Sequence, residues 1–563
     1  MICKYSYLFF LLILTSGCAN RDLSETGLIT EKAMVVTAHP LASEVGKEIL
    51  KKGGNAADAA IAVQFALAVV YPDAGNIGGG GFLVLRQKNG QTAALDYREK
   101  APAAAHRDMY LNEKGYVIKD LSLNGHLAAG VPGTVDGMVT LHQKYGSMPL
   151  DSLVLPAIKL ASAGFPLTKK EAEKLNEQKK YFLRYNTKRP EFILKSHWNK
   201  ADTLRIPELA QTLKRISDYG RAGFYEGETA TLIAEEMQRG GGIISKQDLA
   251  NYRAIWREPI EVTIGEHIII SMPPPSSGGI ALAQLLAITN NYPLHEWGRS
   301  SQKTAHLMIE AERRVYADRA RHLGDPDYFK VPVQNLLHLP YIKSRMQNFS
   351  PKKATRSKEI LAGTVPPPES PNTTHYSIVD AEGNAISVTT TLNSSFGSKV
   401  FVSGAGFLLN NQMDDFSIKA GQPNLYGLVG DSANAIAPGK RMLSSMTPTI
   451  LEKNGQLYLV VGAMGGSTII TTVFQIILNV TRHNMPMQGA VNAGRFHHQW
   501  QPDWVLTEWG ALGFGRSLQL WLKGHRIVPR LKGIGRAAGI LVLPDGKLEG
   551  GAEPRGDDAA AGF

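Results

Sequence analysis

Asn372-Thr373-Thr374-His375-Tyr376-Ser377-Ile378-Val379 opens a run of β-branched and aromatic residues. A turn follows over residues 380–384, with Gly383 inside it, and then a second run, Ala385-Ile-Ser-Val-Thr-Thr-Thr391. Two such runs around a glycine-containing turn predict a β-hairpin. Upstream, residues 351–372 carry Lys352, Lys353, Arg356 and Lys358, then Pro366, Pro367, Pro368 and Pro371. That is the composition of an exposed, extended linker. A linker running straight into a core hairpin predicts a boundary at about residue 372. Threonine at such a junction has two readings. It is a good strand residue. It is also a weak nucleophile that needs a base beside it. A cut before Thr373 would supply that base as the residue's own α-amine, whose reference pKa of about 7.7–8.0 lies near working pH. No separate histidine would then be needed.

Away from this hairpin, Asn55 stands as an N-cap before residues 56–70, which are nearly all apolar, with Pro72 beyond them. A helix that is apolar on every side and too short to span a bilayer is a core helix. The glycine run at residues 78–81 lacks the Gly-Lys-Ser/Thr of a phosphate loop, so close backbone packing is the expectation. A strand should follow over residues 82–86. Another helix is predicted over residues 305–323, with Glu310 and Glu312 ahead of Arg313, Arg314 and Arg319. A second hairpin should join residues 446–451 to 458–461 through Asn454-Gly455.

The 563 residues are 43% hydrophobic and 20% charged, an ordinary globular balance that excludes collagen-like, disordered and polytopic membrane classes. The formal charge of +11 is spread through the chain, and no zinc finger, RNA-binding signature or long basic run accompanies it. Nucleic acid is therefore not an expected partner. The cysteines, Cys3 and Cys18, both lie near the start, which leaves no disulfide framework or cysteine zinc site for the body. No His-Glu-x-x-His pattern occurs, and His497-His498 read as structural. No metal or prosthetic cofactor is expected. Lys4, the apolar residues 8–14 and the small residues 15–17 describe a secretory signal. The apolar run is too short for the about 20 residues of a membrane span. Thr15-Ser16-Gly17-Cys18 resembles a bacterial lipobox, which implies lipidation at Cys18, with Ala19 favouring the outer membrane and a periplasmic location. An ordinary cleaved signal is the alternative.

The C-terminal half continues with Thr389-Thr-Thr-Leu-Asn393, Asn410-Asn-Gln-Met-Asp-Asp-Phe416 and Tyr426-Gly-Leu-Val-Gly430. Arg441-Met-Leu-Ser-Ser-Met-Thr-Pro448, Gly462-Ala-Met-Gly-Gly-Ser467 and Arg495-Phe-His-His-Gln-Trp500 come after them. Upstream lie Gly53-Gly-Asn-Ala-Ala-Asp58, Asp96-Tyr-Arg-Glu99 and Ser271-Met-Pro-Pro-Pro-Ser-Ser-Gly-Gly279. In this order they resemble the gamma-glutamyltransferase (gamma-glutamyltranspeptidase, glutathione hydrolase) family, from about residue 30 to the C-terminus.

The resemblance implies an α+β fold, the four-layer αββα sandwich of N-terminal nucleophile hydrolases, made as one chain that cuts itself at Asn372–Thr373. Residues 1–17 would be the signal, 18–372 the large subunit and 373–563 the small catalytic one, the two products staying together as a heterodimer. Thr373 would attack the γ-carbonyl of glutathione or another γ-glutamyl compound and pass the acyl group to water, an amino acid or a peptide. Thr391 would orient the nucleophile, and the backbone N–H groups of Gly465 and Gly466 would form the oxyanion hole. Arg98, Ser444 and Ser445 would hold the donor α-carboxylate. Asp415 would hold its α-ammonium, with Asn393 and Gln412 accepting further hydrogen bonds, and Tyr426 would belong to a lid. Lys100, Ala463-Met464 and Thr468 depart from the family's usual residues, but none removes a catalytic group. The nearest alternative is a relative with the same nucleophile and another acyl group, a glutaryl-type acylase or a poly-γ-glutamate depolymerase. Asp415 argues against it, since an acyl group without an α-ammonium gives that carboxylate no partner. A non-catalytic lipoprotein keeping the fold is a further alternative, opposed by the presence of Thr373, Gly465 and Gly466.

Overall fold

The computed structural model describes residues 22–360, 373–418, 432–531 and 533–563. The signal segment with Cys18, the end of the linker with Asn372, and the lid with Tyr426 lie outside the described residues.

Two seven-stranded antiparallel sheets make the centre. One runs Ala559–Gly562, Met34–Thr37, Thr373–Val379, Ala385–Thr391, Gly80–Arg86, Thr92–Tyr97, Ile255–Arg257. The other runs Leu28–Thr30, Leu548–Gly551, Arg536–Val542, Gln456–Met464, Thr449–Lys453, His267–Ser271, Ile260–Ile264. Each sheet takes strands from both sides of residue 372. Both expected hairpins are present, with Thr373 opposite Thr391 and Thr449 opposite Val461.

Side-chain alternation builds the layers. From Met34–Thr37 and Gly80–Arg86, Val35, Leu83 and Leu85 point outward into a cluster with the helices Pro40–Lys51 and Ala56–Val70. Met34, Val36, Phe82 and Val84 point inward, against Val461, Ala463, Ala538 and Ile540 of the facing sheet. The helices Gly278–Thr289, Gln302–His322 and Thr468–His483 close the far face. The result is the αββα arrangement of an α+β protein. Asn55 caps the Ala56–Val70 helix in a reciprocal box with Asp58, and all fifteen helical residues are buried. Among the described residues no helix is long and apolar enough to cross a membrane.

The linker reading needs correction over its first ten residues. Lys352, Lys353, Arg356 and Lys358 are exposed, but every third residue, Ala354, Ser357 and Ile360, is buried. Backbone partners explain the difference. Ser357 N donates to Asp503 Oδ2 at 2.8 Å, Trp500 Nε1 donates to Ser357 O at 2.9 Å, and Ala354 N donates to Lys523 O at 2.8 Å. Composition reported the charges on the outer side and was silent about these anchors.

Candidate active site

The Thr373 strand has two faces. Tyr376 and Ile378 enter the outer hydrophobic cluster. Thr373, His375 and Ser377 alternate with them and face the second sheet. Such buried polar groups need partners. His375 shares hydrogen bonds with Thr389 Oγ1 and Ser377 Oγ, each at 3.0 Å, and Ser387 Oγ donates to Val461 O at 3.1 Å. Burial pulls the His375 pKa down to about 3, so the ring is neutral and both nitrogens are engaged. It is a structural histidine.

Thr373, 4% exposed, begins the strand. Its Oγ1 lies 3.4 Å from Thr391 Oγ1, which also accepts from Asn393 N at 2.7 Å. The glycine run fits against this edge. A Cβ at Gly79 would stand 2.1 Å from Thr391 O, and one at Gly81 would stand 2.5 Å from Thr389 O. Close packing is thus what these glycines serve. Asn76, which sequence reading passed over, ties the run to the strand by donating to Thr391 O at 3.0 Å and accepting from Gly79 N at 3.1 Å.

Gly465 and Gly466 join the Gln456–Met464 strand to the Thr468–His483 helix with φ of +141° and +60°. A side chain is strained at both. Their position before a helix N-terminus directs positive backbone potential outward. The strand that leads into this turn packs face to face on the Thr373–Val379 strand. Gly462 lies under His375, where a Cβ would come 2.2 Å from the ring. Two residues further along each strand lie Thr373 and Met464, at the same edge of the sandwich. The Arg495–Trp500 motif braces the turn from behind. Ser467 Oγ donates to Gln499 Oε1 at 2.7 Å, and Gln499 Oε1 is 2.8 Å from His497 Nε2. Burial lowers the pKa of His497 to about 3 and of His498 to about 4, in keeping with structural roles.

Of the remaining candidates, Arg98, Gln412 and Asp415 meet in one buried charged cluster, and Asn393, Ser444 and Ser445 lie on the adjoining turns. Arg98, 1% exposed, directs Nη2 to Asp415 Oδ2 at 2.5 Å and to Leu443 O at 3.3 Å. Gln412 Nε2 donates to the same Asp415 oxygen at 2.9 Å. Asn393, at φ +75°, donates to Asn411 O at 3.0 Å, which holds its loop against the turn carrying Gln412. Ser444 and Ser445 follow Leu443 in the chain. The Ser276-Ser277 turn pairs with Ser444, and Arg319 Nη2 donates to Ser445 Oγ at 2.9 Å. In the sequence Arg319 reads only as a helical charge. A buried arginine on a helix that otherwise enters the core is the signal that marks it. Glu99 sits beside Arg98, and burial raises its pKa to about 7 against the pull of the guanidinium.

One further histidine cluster lies elsewhere. His306 Nδ1 and His525 Nε2 are 2.7 Å apart near Glu310. Glu310 is already engaged by Arg313, Arg314 and Thr355 N. Two guanidinium groups on the carboxylate oppose a cation there, so the cluster serves packing.

The sequence model of gamma-glutamyltranspeptidase matches residues 42–563. The glutathione hydrolase proenzyme of Escherichia coli is 46% identical over 536 residues, covering 95% of this chain and 92% of that one. The gamma-glutamyltranspeptidase of Helicobacter pylori superposes with a TM-score of 0.57 at 43% identity, over 60% of this chain and 96% of that one. A cephalosporin acylase from Bacillus halodurans superposes with a TM-score of 0.84 at 28% identity, over 96% and 97%. Family match, whole-chain identity and the shared sandwich agree, and the chain belongs to the gamma-glutamyltranspeptidase family.

Proposed function

We propose that this protein is a self-processing γ-glutamyltransferase and glutathione hydrolase with Thr373 as its nucleophile. The observation that carries the reading is the placement of Thr373 and Thr391 at one sandwich edge, with a buried Arg98–Asp415 pair among neighbouring polar groups. Opposite charges held together suit a zwitterionic ligand end. The α-carboxylate of a γ-glutamyl group replaces Asp415 on Arg98, and its α-ammonium replaces Arg98 on Asp415. Ser444 and Ser445 add donors on the carboxylate side, and Gln412 and Asn393 complete the ammonium side.

In maturation, Thr373 Oγ1 attacks the Asn372 carbonyl. The peptide C–N bond breaks, the freed nitrogen takes a proton, and water hydrolyses the resulting ester. The large subunit then ends at residue 372 and the small one begins with a free amine at Thr373. In turnover that amine removes the Thr373 hydroxyl proton as oxygen attacks the γ-carbonyl, and Thr391 steers the oxygen. Gly465 and Gly466 N–H groups meet the negative oxygen, where one donor is worth roughly 10²–10³ in rate. The amine returns the proton to the departing amine, and water or an acceptor amine then takes the γ-glutamyl group.

An acylase reading keeps the same nucleophile and draws on the likeness to the cephalosporin acylase. It leaves Asp415 without an ammonium partner in a buried site, which is costly. Better turnover of glutaryl than of γ-glutamyl anilides would establish it instead.

The deciding experiment is N-terminal sequencing and intact mass of the purified protein. A small fragment beginning Thr373-Thr-His-Tyr-Ser, absent in Thr373→Ala, is expected, with the variant intact and inactive. A single uncut, inactive wild-type chain would remove the proposal. The mass of the large fragment also tests export and lipidation, because a mature chain starting at Cys18 carries the added lipid.

A further inference from the structure

The helix Gly513–Leu522 turns its apolar side to solvent. Phe514, Leu518, Trp521 and Leu522 stand at the i, i+4, i+7, i+8 spacing that shares one helical face. All four are exposed, Phe514 at 87%, and within the helix only Leu520 is buried. The strand Ile527–Arg530 runs beside Val505–Glu508 with Arg530 opposite Glu508, which carries Leu531, 97% exposed, back toward the start of the helix. A grouped exposure of large apolar side chains marks an interaction surface, where scattered ones would not.

The surroundings are cationic. From Trp509 to Leu531 the chain has Arg516, Lys523, Arg526 and Arg530 and no Asp or Glu. Ala354 N donates to Lys523 O at 2.8 Å, which sets the exposed Lys352 and Lys353 beside the end of the same helix. The carboxylates of the adjoining strand and turn, Glu508 and Asp503, are held by Arg555 and Arg313. The chain also enters the fold on this side. Asn492 Nδ2 donates to Asp22 O at 3.3 Å, and two residues further on a Cβ at Gly494 would come 2.9 Å from Ala511 Cα, just ahead of the helix. On the lipobox reading, the stretch from Cys18 to Asp22 reaches at most about 14 Å. A lipid there would hold this side of the molecule against the bilayer.

We propose that the exposed face of Gly513–Leu522 docks on an anionic lipid bilayer. Phe514, Leu518, Trp521 and Leu522 enter at the boundary of headgroups and acyl chains, and the Lys and Arg rim meets the lipid phosphates. Aromatic and aliphatic groups on one face with cations around them are the composition of a helix that lies in the membrane interface. The charge of the rim selects an anionic surface over a neutral one. The docking face goes beyond the proposed function and shares no residue with the Thr373 or Arg98–Asp415 groups.

Co-sedimentation with vesicles of phosphatidylethanolamine and phosphatidylglycerol tests it. The protein used is residues 19–563, which lack the signal and Cys18 and keep every described residue, so no attached lipid can cause the binding. Wild type is expected to bind, and its tryptophan fluorescence to be quenched when the acyl chains are brominated. Leu518→Glu/Leu522→Glu is expected to bind at least about tenfold more weakly and to lose the quenching, with melting temperature and γ-glutamyl anilide turnover at wild-type values. Arg516→Glu/Arg526→Glu should weaken binding to these vesicles, and wild type should bind pure phosphatidylcholine less well. No binding by wild type, or binding that Leu518→Glu/Leu522→Glu retains, overturns the proposal. A wild type that ignores vesicles but forms dimers split by the same substitutions also overturns it, since a second copy then covers the face. Turnover is read separately, so a processed protein that binds vesicles without turning over anilide removes the proposed function alone.

Discussion

At the scale of single residues, the site is a set of polar groups that a core tolerates only because each meets a partner. Arg98→Ala is expected to mature and yet bind donor far more weakly, with KM for a γ-glutamyl anilide raised at least about tenfold. The same change removes a guanidinium from Asp415, so stability should fall by on the order of 3 kcal/mol. An unaltered KM would contradict the donor role. Glu99 supplies a pH dependence. Its folded pKa of about 7 lies above the ordinary 4.5, so its contribution is intact below pH 4.5 and is lost as pH rises through 7. Glu99→Gln should therefore be more stable than wild type at pH 8, by on the order of 3 kcal/mol, and little different at pH 4. Thermal unfolding at the two pH values checks this. Every donor-site candidate named from sequence, Asn393, Gln412, Asp415, Ser444 and Ser445 with Arg98, lies buried in the described structure. Asn76 and Arg319 are illegible as site residues in the sequence because their meaning depends on which distant strand or turn they meet. Lys399 is similar. Burial lowers its pKa to about 8, and it donates to Ser394 Oγ at 3.2 Å and Gly397 O at 2.7 Å, holding the loop that carries Asn393.

At the scale of elements, the hairpins, the capped apolar helix and the glycine run follow from alternation, capping and the absence of a phosphate-loop signature. Their sheet order does not, because the neighbours of Thr373–Val379 come from near residue 35 and from its own hairpin partner. The stacking of the two sheets is equally invisible in sequence, and Gly462 shows what it demands. Gly462→Ala would push a methyl group into the His375 ring. Overpacking of this kind costs about 1–3 kcal/mol. Since His375 is two residues from Thr373, the displaced strand should also slow self-cleavage. A larger share of uncut chain on a denaturing gel, with a lower melting temperature, is the expected result. Residues 351–360 failed as a linker for a physical reason already visible in their spacing. A buried residue at every third position is a one-sided contact, and charge content hid it.

At the scale of the whole molecule, the interleaving of strands from before and after residue 372 dominates. A cut at that point breaks one covalent bond and leaves every ladder partner in place. The two products are expected to travel as one species in size-exclusion chromatography and to part only in denaturant. The interleaving has a kinetic consequence as well. An intact chain refolds by a unimolecular route, whereas the processed pair must first find each other, and neither half holds a complete sheet. Recovery after denaturation should thus fall with dilution for the processed protein and stay independent of concentration for uncut Thr373→Ala. Once it has matured, the molecule keeps its shape by how slowly it opens, not by how readily it forms again.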